Sequence, residues 1–216
     1  MSIRIPEVPA LVPQPAGPGA VRRMPSPYQQ LVAWIAATHE AALAELAEAD
    51  PEADSAAVAR LSSHLAAMRR AVYPAARGQA GAVGQLLASC LSRGREVDWA
   101  LRLLHGRLSG DGFAIRYDAG TLSAWLRDRL GRYRPAEQAL VGSILLQLPG
   151  PARDELAAGY RAALSRAPTR PHPRGPHCGP AYRVAFGVHG VWDRLLDTAD
   201  SRPGPPLVPA AGPRPV

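Results

Sequence analysis

Apolar residues return along this chain at intervals of three and four, the spacing that lays them on one side of an α-helix. Leu61, Leu65, Met68 and Val72 share such a face, with His64 on its flank, and Pro74 predicts the end of that helix. Upstream, Leu31, Ile35, His39, Ala42 and Leu46 line a first helix that starts at Pro27 behind a Ser26 cap and runs to Ala49. Asp50 and Pro51 repeat the cap-then-proline start and open the second helix, which runs to Tyr73. Leu87, Leu91, Asp98, Leu101, His105 and Leu108 follow one side of a third helix, Val83 to Leu108, with Gly94 as the place where it bends or divides. Leu122, Leu126, Leu130, Tyr133, Glu137, Val141 and Ile144 trace a fourth, from Asp118 or Thr121 to Leu148. Pro135 predicts a kink or a restart within it.

A shorter helix follows over Ala152 to Arg166. Helical periodicity returns over Tyr182 to Thr198 through Val184, Val188, Val191, Trp192 and Leu195. No stretch alternates apolar and polar residues as a half-buried strand would. Four long helices on short connections predict an all-α fold, an antiparallel four-helix bundle with additional C-terminal helices.

Proline divides the chain into regions. Residues 1–26 read as a disordered proline-rich arm, 27–166 as the bundle, 167–200 as a proline-rich strap with a terminal helix, and 201–216 as a disordered tail. His172, His177 and Cys178 fall in the strap among prolines and glycines, and read as linker rather than as a preorganised site.

All 25 basic residues are arginine, and the net charge is +7. They are scattered among carboxylates with no dense basic run, so nucleic-acid binding is not expected. The two cysteines make no disulfide framework, and Cys90, among Leu86, Leu87 and Leu91, reads as a small core residue. No leader-like or membrane-spanning run is seen, which points to the cytoplasm. Trp34, Trp99, Trp125 and Trp192 read as packing anchors. No nucleophile triad, phosphate loop or dinucleotide fingerprint is present, so turnover is the weaker expectation.

The chemistry lies elsewhere. Each of four helices places one metal-competent side chain on its apolar face: His39, His64, His105 and Glu137. A single core histidine is more often a hydrogen-bonded filler than a ligand. One such residue on each of four helices makes a shared site as reasonable as the filler reading. Imidazole with carboxylate suits iron, manganese or zinc, and bundle cores are where such sites are built. The other reading leaves the site without metal, its polar groups satisfied by one another and by Tyr133.

Residues 27–198 resemble the hemerythrin-like HHE cation-binding family. The second-helix stretch His64-(x)3-Met68-(x)3-Val72-Tyr73-Pro74 is similar to that family's His-(x)3-Glu motif and its closing Leu-Tyr-Pro. Tyr133-(x)3-Glu137 stands where the family has His-(x)3-Glu. His39 and His105 match the lone histidines of its first and third helices. Ala167-Pro168-Thr169-Arg170-Pro171-His172-Pro173 is similar to a tail carried by some bacterial members.

The departures are Met68 for the first bridging carboxylate and Tyr133 for the fourth-helix histidine. The resemblance implies a degenerate site in which His39, His64, His105, Glu137 and Tyr133 are the metal-binding candidates. Two ferric ions would be poorly neutralised by Glu137 alone, and methionine sulfur is a soft, neutral donor. The implied cofactor is therefore iron as a single ion or in a vestigial di-iron site, or no metal. The implied role is binding or sensing of a metal ion or a small diatomic or redox ligand. The competing expectation is a metal-free helical protein-interaction module whose partner the sequence does not identify.

Overall fold

The computed structural model describes residues 26–77, 79, 81–171, 188–193 and 195–196. Among them every regular element is helical and none is a strand. The arms expected at 1–25 and 201–216, and the strap residues 172–187, lie outside the described residues.

Helix α1 is Pro27–Glu45. Ser26 starts it in extended backbone, and its N–H donates to Gln29 Oε1 at 2.9 Å. Leu31, Ile35, His39, Ala42 and Leu46 are all buried, as their spacing predicts. The helix stops short of Ala49, which turns left-handed at φ 54°. Asp50, extended before Pro51, then reverses the chain.

Asp50 caps α2 (Pro51–Ala67) by accepting from the N–H groups of Glu52 and Ala53, both at 2.9 Å. Pro74 does not end this helical path. A π-turn over Met68–Val72 leads directly into α3 (Tyr73–Arg77), with the Tyr73 N–H bonded to the Met68 carbonyl. One residue is inserted into the spiral there. The carbonyl that an α-helix would press against the proline ring is displaced, and the path continues.

Helix α4 (Ala82–Leu108) runs through Gly94 undivided. Its core face is Val83, Leu87, Cys90, Gly94, Val97, Leu101 and Leu104. That stripe shares Leu87 and Leu101 with the predicted one but is turned from it by roughly 40°, so Leu91, Asp98, His105 and Leu108 are only half-buried. A single 3₁₀ turn, Ala114–Arg116, precedes α5 (Ala119–Gln147). Helix α5 contains Pro135 and is continuous. Gly131, whose carbonyl loses its partner, and Pro135 both lie on the exposed side, where the freed oxygen is open to solvent. Its inner face, from Leu122 to Ile144, is buried as read. Helix α6 is Gly150–Leu164.

Cross-helix pairs fix the directions. Glu45 meets Arg60 while His39 meets His64, so α1 and α2 are antiparallel. Arg69 pairs with Asp98, and Tyr73 lies over Gly94, which sets the path leaving α2 antiparallel to α4. Glu96 pairs with Arg129, and Gly94 faces Tyr133, so α4 and α5 are antiparallel too. Asp54 takes the Ser123 hydroxyl at 2.8 Å while His64 meets Glu137, placing α2 and α5 side by side in the same direction. Helix α6 covers α1, α2 and the π-turn.

Residues 188–193 and 195–196 are helical as expected and dock on the segment that follows α6. The Arg170 N–H donates to Asp193 Oδ2 at 2.9 Å, and any side chain at Gly190 would collide with the Arg166 carbonyl. Val188, Val191, Trp192 and Leu195 point outward. Trp99 and Trp192 are half or more exposed and are not packing anchors. Trp34 and Trp125 are partly buried, under the guanidinium groups of Arg161 and Arg129. No helix among the described residues is long and apolar enough to cross a membrane.

Candidate metal centre

The register of α1 turns His39 inward between Ile35 and Ala42, and that of α2 turns His64 inward beside Leu61 and Leu65. Helix α5 brings Tyr133 and Glu137 to the same level, four residues apart and therefore on one face. All four are fully buried. The ring centroids of His39 and His64 are 4.8 Å apart and nearly perpendicular. One ligand atom from each of His39, His64 and Glu137 can be chosen so that all lie within 4.8 Å of one another.

Glu137 uses its two oxygens differently. Oε1 takes the Tyr133 hydroxyl at 2.5 Å and faces His64 Nε2 at 2.9 Å. Oε2 lies 3.2 Å from His39 Nε2, yet the two atoms are not aligned as a hydrogen bond. Neither ring nitrogen of His39, nor Glu137 Oε2, has a hydrogen-bond partner among the described residues. Buried polar atoms are rarely left so. His64 is held at both ends, with Nδ1 against the Tyr160 hydroxyl at 2.8 Å. The Tyr73 and Tyr133 hydroxyls are 2.8 Å apart, continuing the chain of bonds beyond Glu137.

Burial, reinforced by His64 and Arg134, lowers the His39 pKa from 6.5 to about 3, against the pull of Glu137, so His39 is neutral at physiological pH. Burial alone would raise Glu137. His64, as charge and as donor, then His39 and Tyr133, outweigh it and hold the carboxyl below its usual value. The hydroxyls of Tyr73, Tyr133 and Tyr160 are pushed up, first by burial and then by the Glu137 charge, and stay protonated. The arrangement is one carboxylate, one neutral imidazole without a hydrogen bond, and a second imidazole held by neighbours.

Of the sequence candidates, His39, His64, Glu137 and Tyr133 are gathered, and His105 is not. The position of α4 that faces this centre is Gly94, where a Cβ would lie 3.5 Å from Tyr133 Cε2 and 4.0 Å from the Tyr73 hydroxyl. His105 is three turns further on, roughly 16 Å along the axis, and half-buried. That distance along the helix, rather than its direction, keeps His105 from the centre. Tyr133 enters as a donor on Glu137 and a partner of Tyr73. Met68, fully buried, begins the π-turn one turn after His64.

Sequence reasoning left out Tyr160 and Gly94, and took Tyr73 only as part of a motif. Tyr160 had one signal, its place on the buried face of α6 with Leu156, Ala157 and Ala163. The two carboxylates of α4, Asp98 and Glu96, are engaged away from the centre, with Arg69 and Arg129. Comparison with protein-family models, with curated proteins and with solved structures found no match to this chain.

Proposed function

We propose that this chain is a cytoplasmic, hemerythrin-like four-helix bundle, formed by α1, the path from α2 to α3, α4 and α5. Its degenerate site holds a single metal ion, iron, for binding or sensing rather than turnover. His39, His64 and Glu137 would hold the ion. Two imidazoles with one carboxylate are a donor set suited to non-haem iron, and a bound iron supplies a redox-active Lewis acid able to take a small diatomic ligand.

The observation that carries this reading is His39. It is a fully buried imidazole with both nitrogens unpartnered, 3.2 Å off-line from an unpartnered carboxylate oxygen. An imidazole nitrogen and a carboxylate oxygen that converge without a hydrogen bond are a donor arrangement a cation completes. Tyr133, donating to Oε1, leaves Oε2 for the ion, and Gly94 leaves α4 without a donor at this level. Both features favour one ion over two.

The test is elemental analysis of untagged full-length protein from iron-supplemented cells, together with His64→Ala and Glu137→Ala. Near-stoichiometric iron in the parent, lost in both variants, is the expected result. Trace metal in the parent would overturn the proposal. It would favour the metal-free interaction module instead, for which the exposed Val188, Val191, Trp192 and Leu195 stripe speaks.

A further inference from the structure

An ordinary surface helix turns its apolar side toward the protein, and the last described helix does the reverse. Over residues 188–193 and 195–196 its buried positions are Gly190 and Asp193, three apart and so on one side. Gly190 lies so close on the Arg166 carbonyl that no side chain fits there, and Asp193, fully buried, accepts the Arg170 N–H at 2.9 Å. These two contacts fix the rotation of the helix. Val188, Val191, Trp192 and Leu195 are left facing outward, each 58–61% exposed, at the spacing of one continuous stripe. We propose that this stripe is a membrane-docking face, which seats the chain on a lipid bilayer bearing anionic headgroups. The face uses none of the residues of the buried centre and acts with or without a metal there.

Charge and size select the occupant. Residues 166–202 carry six arginines and three aspartates, and one of those aspartates is the inward-facing Asp193. The whole chain carries +7. A second copy would bring like charge against like, whereas an anionic bilayer attracts arginine to its surface. The four outward side chains offer on the order of 400 Å², about half of the ~800 Å² that each partner gives to a stable protein interface. A bilayer needs no matching surface. It takes tryptophan at the headgroup boundary and aliphatic side chains just beneath. No helix among the described residues is long and apolar enough to cross a membrane, so this one would lie in the surface plane. A second exposed apolar group, Phe113, Ile115 and Tyr117 between α4 and α5, stands between Asp111 and Asp118. Glu48, Asp50 and Glu52 are exposed around the α1–α2 turn, at the same end of the bundle. Carboxylates are repelled by anionic lipid, so that end is an internal control.

The experiment is flotation of full-length protein with phosphatidylcholine vesicles, with and without phosphatidylglycerol, at low and high salt. The parent is expected to float with the anionic vesicles, less so at high salt, and to stay behind with phosphatidylcholine alone. Trp192→Ser, and Val191→Ser combined with Leu195→Ser, change outward-pointing side chains and leave the Gly190 and Asp193 contacts in place, so both should fold. Each is expected to weaken vesicle binding by roughly 10- to 100-fold. Phe113→Ser should bind as the parent does. No binding by the parent, or equal binding to both kinds of vesicle, would overturn the proposal. So would stripe variants that bind like the parent, or a loss in Phe113→Ser as large as theirs. A parent that ignores vesicles and sediments as a dimer, reduced to monomer by Trp192→Ser, would overturn it in favour of a second copy.

Discussion

Acidification from about pH 7 to about pH 5 is expected to destabilise the metal-free fold through His39, by about 2 kcal/mol. The folded protein holds His39 neutral, with its pKa lowered from 6.5 to about 3 by burial and by His64. In the unfolded chain it titrates normally. Between those two values the unfolded state binds a proton that the folded state refuses, so stability falls as pH falls. At about pH 5 the unfolded histidine is roughly 1.5 units below its pKa, and each unit is worth about 1.4 kcal/mol. His39 is fully buried, so no discount for solvent screening applies. Glu137, held below its usual value, acts in the same direction, but only as pH falls below 4.5 and through its lowered folded value. It therefore leaves this window nearly clear.

The assay is urea unfolding of full-length protein at both pH values, with chelator present, for the parent and for His39→Gln. The amide does not titrate, so the variant's loss between the two pH values should be smaller by about 2 kcal/mol. Equal losses in parent and variant would refute the claim that His39 is buried neutral.

Three further outcomes follow from single residues. Tyr133→Phe strips one donor from Glu137 Oε1 and leaves the buried Tyr73 hydroxyl without its partner; a loss of about 1–3 kcal/mol is expected in chemical denaturation. Gly94→Ala places a Cβ at ordinary contact, 3.5 Å from Tyr133 Cε2, so it should stabilise the protein by about 0.5–1 kcal/mol through helix propensity. A destabilised variant would mean that the Tyr73–Tyr133 pair needs more room than this. Asp50→Ala removes the acceptor for two N–H groups at the start of α2 and should cost about 1 kcal/mol in thermal or urea unfolding.

The helices were legible in the sequence where apolar residues keep strict spacing. Five positions of α1, from Leu31 to Leu46, and seven of α5, from Leu122 to Ile144, are buried as read. Because His39 and Glu137 lie within those runs, two-thirds of the ligand trio could be placed from pattern alone. Helix α4 misled for a physical reason. Its core face passes through Gly94, which has no side chain to mark it, while Leu91 and Leu108 on the adjacent side stand out as apolar. His105 lies on nearly the same side of α4 as Gly94, and spacing alone does not show that it stands three turns along the axis from the level of Glu137.

The proline rule at Pro74 failed because a π-turn, which no apolar spacing announces, makes room for the ring. The partnership of Tyr160 with His64 joins residues 96 apart, and only the packing of α6 reveals it. Convergence of single side chains from separate helices is a property of their relative rotation. Periodicity gives each helix a face and says little about where along that face its neighbours meet it.

If His39, His64 and Glu137 close on one cation, metal-edge X-ray absorption of the full-length, iron-loaded protein will see them. A nitrogen and oxygen shell with the multiple scattering of two imidazoles and no metal–metal vector is expected. A metal–metal vector, or a shell without imidazole, would rule out such a centre.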